Sequence, residues 1–121
     1  MDRHTEIFER YVYAGALTRD PDAIAALFTA DGVFEAPLVP DGLGLPRRLV
    51  GREEIRTGIG AFHRDPGPGG VNLEQSRYVL HDTADPDVFI AEIDTVLDVA
   101  GGQHRTMSLV QIFRLRDGQI A

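Results

Sequence analysis

Glu92 and Asp94 are the residues whose type and spacing most readily suggest chemistry. They stand two positions apart in a segment of alternating hydropathy, so on a strand both side chains leave the same face about 7 Å apart. Two carboxyls in a partly buried site resist ionising together, and one of them can then shuttle a proton near pH 7. The plainer role is a wet sheet rim, with the pair held by Arg77 or Arg105 on a neighbouring strand. Tyr11, on the apolar stripe of the first helix, is either a core tyrosine or a hydroxyl donor aimed at a ligand. Asp98, nearer a turn, is expected in solvent, and Glu35 should point outward. His4, His63, His81 and His104 show no metal-ligand spacing, and His63 fits a helix C-terminus. Gly42, Leu43 and Gly44 neither follow a strand nor open a helix, as a nucleotide loop must.

Helices come first among the elements that must position these groups. From Thr5 to Leu17, Ile7, Phe8, Tyr11, Val12 and Ala14 recur at helical spacing. Asp20 before Pro21 starts a second helix, with Ile24, Leu27 and Phe28 turned inward until Asp31 and Gly32 end it. Val33–Ala36 reads as a short strand, and Pro37–Leu49 as a Pro- and Gly-rich loop able to lie over a pocket mouth. A third helix follows Gly51, with Ile55, Ile59 and Phe62 on one face, until the run from Asp65 to Gly70 breaks it. There the period changes to two. Strands are expected at Val71–His81, Val88–Val99 and His104–Arg116, the last two forming a hairpin about Gly101 and Gly102. After the Asp117–Gly118 turn, Gln119–Ala121 would begin a strand that is not continued.

Along Val88–Val99, Phe89, Ala91, Ile93, Thr95, Leu97 and Val99 share one face, and Val88, Ile90, Glu92, Asp94, Val96 and Asp98 the other. With a turn at Ala100–Gln103, the carboxylate face should also carry Met107, Leu109, Gln111 and Phe113. Thr106, Ser108, Val110 and Ile112 then fall opposite. Both faces are largely apolar, and one sheet face is left for a partner copy. Phe89, Ile93, Leu97, Val110 and Ile112 would otherwise meet water, so a homodimer through the open sheet face is expected.

Composition narrows the function classes. The 121 residues suit one domain spanning 1–121, without repeats. No apolar run reaches the roughly 20 residues of a membrane span. Met1–His4 opens a charged amphipathic segment rather than a signal peptide, so the expected compartment is the cytoplasm. With no cysteine there is neither a disulfide nor a thiolate site, and a net charge of −7 without a basic stripe argues against nucleic acid.

Leu27–Phe34 (LFTADGVF), the Pro-rich loop, Gly51–Ile55 (GREEI) and Phe113–Ile120 (FRLRDGQI) resemble the nuclear transport factor 2-like superfamily. Within it the chain is most similar to the SnoaL-like group of polyketide cyclases, ketosteroid isomerases and limonene epoxide hydrolases. The resemblance implies an α+β, cone-shaped fold: three N-terminal helices packed on a curved, mainly antiparallel sheet enclosing a pocket. In that pocket Leu27, Phe34, Ala36, Met107, Leu109, Gln111 and Phe113 would touch a hydrophobic small molecule. The enzyme signatures carry over only in part. Ala36 stands where ketosteroid isomerases have their base, Gln111 where they have a neutral acid, and Tyr11 about where they have an oxyanion tyrosine. The epoxide hydrolases' water-holding polar residues align with Phe34 and Ala36. Of their Arg and Asp two apart, matched by Glu92 and Asp94, only the aspartate is kept. Relatives continue beyond Gly118 with a further strand, so this chain should expose the backbone edge of its neighbour, with either a frayed terminus or a partner covering it.

The resulting expectation is an enzyme performing cyclisation, isomerisation or epoxide opening on a hydrophobic metabolite without cofactor or metal. Glu92 and Asp94 would be its acid and base and Tyr11 its donor. A binding protein for the same ligand class and a dimeric accessory protein are the alternatives.

Overall fold

The computed structural model describes residues 2–37, 47–64, 70–72, 74–99 and 101–121. The chain is α+β and forms two compact units: Met1–Ile7 with Gly67–Arg114, and Phe8–Pro66 with Leu115–Ala121.

The first helix, α1, runs from Arg3 to Val12 and continues as a π-helical turn over Tyr13–Leu17. It starts two residues earlier than hydropathy suggests because Asp2 caps it, its carboxylate accepting from the Thr5 N–H at 2.9 Å and the Thr5 hydroxyl at 3.0 Å. The second helix, α2, occupies Pro21–Ala26, and the Asp20 carboxylate accepts from the N–H groups of Asp22 and Ala23, both at 3.1 Å. It ends before Leu27, whose helical backbone caps it and whose N–H donates to the Ile24 carbonyl at 3.0 Å, and Phe28 then bridges Ile120.

In the unit that holds α2, β1 (Val33–Glu35) pairs antiparallel with β2 (Arg48–Val50). Arg48 and Leu49 are therefore strand, not loop; residues 38–46 of the loop expected over a pocket mouth lie outside the described residues. The third helix, α3 (Arg52–Arg64), packs against α2, and Ile24, Phe28, Leu49, Ile55 and Ile59 are buried. The side chain of Phe62 lies outside the described residues, as does that of His63. Arg52 ties α3 to the chain after α2 by donating to the Phe28 carbonyl at 2.7 Å and 3.2 Å.

The other unit is a sheet built on β5 (Val88–Val99) and β6 (Gln103–Arg116). The strand expected over Val71–His81 is two strands, β3 (Gly70–Val71) and β4 (Arg77–Asp82), which follow each other along the same edge of β5. Between them the chain turns on Asn72, whose carbonyl accepts from the Ser76 N–H at 3.0 Å and the Ser76 hydroxyl at 2.7 Å. The Ser76 hydroxyl oxygen then accepts from the Val96 N–H at 2.9 Å, taking the place of a ladder carbonyl.

Gln119–Ile120 forms a short strand, β7, beside Leu115–Arg116. The terminus is not frayed: the Ile120 N–H donates to the Leu27 carbonyl and its carbonyl accepts from the Thr29 N–H, both at 2.8 Å. Ile120 is buried. Among the described residues the far edge of β6 pairs at Leu115 and Arg116, with β7.

The Asp20 cap gives a direct test. Asp20→Ala should cost about 1 kcal/mol and lower the melting temperature by about 4 °C, read by thermal denaturation. An unchanged midpoint would mean that α2 is held by its packing alone.

Candidate functional site

The loop joining β5 to β6 decides which side chains share a face. Val99 pairs with Gln103, leaving three residues between the strands, and Gly101 and Gly102 take φ of +85° and +75°. Such backbone suits glycine, and three-residue hairpin loops commonly use it. An even number of loop residues would have produced the sequence-based face assignment. The odd number reverses it.

Phe89 pairs with Phe113, Ala91 with Gln111, Ile93 with Leu109 and Thr95 with Met107. Directly paired residues share a face, so Met107, Leu109, Gln111 and Phe113 lie with Phe89, Ala91 and Ile93. Glu92 and Asp94 lie on the opposite face, beside Val110 and Ser108. Their expected company with Met107, Leu109 and Gln111 is thus corrected by the register.

The apolar face grades from closed to open. Phe89 and Ala91 are fully buried and Phe113 nearly so, with the Phe89 and Phe113 rings stacked at 4.7 Å. Leu109, Gln111 and Ile93 are half-buried, and Met107 is exposed. The Gln111 Oε1 is buried and, among the described residues, has no hydrogen-bond partner. At the closed end the His4 ring stacks on Phe89 at 4.7 Å, with its Nδ1 2.7 Å from Asp82 and its Nε2 2.7 Å from the Pro86 carbonyl.

On the opposite face Glu92 is exposed and its Oε1 lies 2.6 Å from His81 Nε2. Asp94 accepts from the Ser108 hydroxyl at 2.7 Å and stands across from Arg77. Asp98 is exposed, as expected, and pairs with His104 at 2.8 Å. Around these groups Val79, Val110 and Ile112 are 56%, 70% and 59% exposed. This face, rather than one including Phe89, Ile93 and Leu97, is the open apolar one. Hydropathy alone missed the His81–Glu92 pair, although alternation along β4 places His81 with Arg77 and Val79.

Tyr11, Leu27, Phe34 and Ala36 belong to the other compact unit. Leu27, Phe34 and Ala36 are half-buried, and the Ala36 N–H donates to the Arg47 carbonyl at 2.8 Å. Glu35 is exposed and faces Arg48. Burial pushes the Tyr11 hydroxyl up to about 12. It therefore stays a neutral donor throughout the working pH range.

A spectrophotometric titration of the three tyrosines should show one ionising near pH 12, absent in Tyr11→Phe. Because the folded chain holds this proton more tightly than the unfolded chain, the associated stability is complete below about pH 10 and lost as pH rises toward 12. Three tyrosines titrating together near 10 would place the Tyr11 hydroxyl in water.

Among curated proteins none matches the chain in sequence. Solved structures do match in fold. A proposed isomerase from Bacillus subtilis is 24% identical over 99% of this chain and 84% of its own, with a TM-score of 0.71. A proposed polyketide cyclase from Xanthomonas campestris pv. campestris is 22% identical over 98% and 84%, with a TM-score of 0.64. A Mycobacterium tuberculosis protein in complex with estradiol-17β-hemisuccinate is 16% identical over 99% and 89%, with a TM-score of 0.68. The fold these share is ketosteroid isomerase-like and nuclear transport factor 2-like. The model of the SnoaL-like domain matches residues 8–121, nearly the whole length, and the chain belongs to the SnoaL-like domain family.

Proposed function

We propose that this SnoaL-like chain binds a hydrophobic small molecule against the face formed by Ile93, Met107, Leu109, Gln111 and Phe113. The observation that carries this reading is the graded exposure of that face, closed at Phe89 and Phe113 and open at Met107. A wall of this kind gains affinity by removing apolar ligand surface from water, at roughly 25 cal/mol per Å². The steroid conjugate held by the Mycobacterium tuberculosis protein supports a polycyclic ligand.

A second reading, cofactor-free isomerisation or cyclisation, is favoured by Tyr11. A hydroxyl that remains protonated can stabilise an oxygen on which negative charge develops. In this reading the proton-transfer roles of Glu92 and Asp94 must be compatible with their place beside Val110 and Ser108. Thermal-shift and fluorescence titration with a panel of steroids and aromatic polyketides, followed by product analysis, separates the readings. Saturable binding lost in Leu109→Asp is expected. Product that disappears in Tyr11→Phe, Glu92→Gln or Asp94→Asn selects the enzyme, bound ligand without product selects the binder, and no saturable binding overturns both.

The open face fits a homodimer. Val110 and Ile112 are exposed along β6 and Val79 on β4, with Glu92 between Val79 and Val110 and bonded to His81. A second copy could cover these residues isologously. Sedimentation at micromolar concentration should give a dimer, converted to monomer by Val110→Glu with Ile112→Glu. A wild-type monomer would sink this assignment.

A further inference from the structure

We propose that His4 is a proton-dependent latch that holds the start of α1 on the turn after β4, its ring docking with a hydrogen on both nitrogens. Nδ1 lies 2.7 Å from the Asp82 carboxylate and Nε2 2.7 Å from the Pro86 carbonyl. A carboxylate and a carbonyl oxygen only accept. A neutral imidazole carries one N–H, so it would satisfy one of these partners and aim a lone pair at the other, whereas the imidazolium satisfies both.

The surroundings favour the cation. The His4 side chain is 11% exposed, and its ring lies on the face of Phe89 at 4.7 Å and 21°, where an aromatic quadrupole attracts positive charge. Among the described residues the charged groups about the ring are Asp2 and Arg3 beside it in the chain, Asp82 at the end of β4 and Asp87 in the turn, while β5 contributes the uncharged Phe89. Three carboxylates thus face one guanidinium. Arg3 donates to the same Pro86 carbonyl at 2.8 Å and to Asp87 at 3.0 Å, and its charge does not change with pH in the histidine range. Loss of the second ring proton therefore releases His4 from Phe89 while Arg3 keeps the helix tethered to the turn.

Nitrogen NMR reads the ring directly. In a proton–nitrogen correlation spectrum of the wild type at about pH 7, with the His4 signals assigned by their loss in His4→Gln, both ring nitrogens should lie mainly at the imidazolium position, where a free histidine is mostly neutral. In Asp82→Asn, whose amide can donate to a bare Nδ1, the same spectrum should show one nitrogen without a proton. Because the docked ring needs both hydrogens and a free ring keeps the second only below about pH 6.5, the stability from the latch is complete below that pH and is lost as pH rises. The melting temperature of the wild type should therefore exceed that of His4→Gln by about 4 °C more at about pH 5.5 than at about pH 9. Titrations common to both proteins cancel in this difference. One bare nitrogen in the wild type, a doubly protonated ring in Asp82→Asn, or a gap that does not change with pH overturns the inference.

Discussion

Side chains alternate along a strand, so the pairing of Phe89 with Phe113 settles the destination of every residue on β5 and β6 at once. The stacked rings, buried at one end of the ladder, hold that register while the glycine turn closes the other. A slip of one residue would bring Glu92 and Asp94 into line with Leu109 and Met107 and turn the phenylalanine pair apart. The apolar wall, the exposed carboxylates and the uncovered aliphatic strip are therefore three results of one constraint.

Much of the fold was legible because its signals are local. Asp20 before Pro21 marked the start of α2, and the alternation from Val88 to Val99 marked β5. The faces of the hairpin were not legible, because hydropathy is nearly equal on both sides and cannot report whether a glycine loop holds an odd or even number of residues. Arg48–Val50 was hidden among prolines and glycines, and becomes a strand through its pairing with Val33–Glu35. The break between β3 and β4 depends on a serine hydroxyl that replaces a carbonyl, a substitution that alternation does not signal.

The candidate site shows the same division. Leu109, Gln111, Phe113 and Met107 were correctly grouped with one another, since spacing of two guarantees a shared face. Their grouping with Glu92 and Asp94 required the turn, and there sequence reasoning went astray. The carboxylates instead meet His81 and Ser108 in an exposed setting. Electrostatics then separates two environments: exposed carboxylates hydrogen-bonded within the chain on one face, and, among the described residues, a buried amide oxygen beside apolar side chains on the other. Electrostatic interactions are screened on the first and strengthened where solvent is excluded on the second.

The two compact units have different folding histories written into their connectivity. Ladder contacts between β5 and β6 are local, growing outward from a short turn, and such contacts close with little loss of chain entropy. The unit containing α2 and α3 instead draws Leu115 and Ile120 into a core shared with residues far earlier in the chain. Ile120 bridges Phe28, a closure across most of the polypeptide. During synthesis that unit can complete its core only after residues 115–121 leave the ribosome, whereas the hairpin can form beforehand.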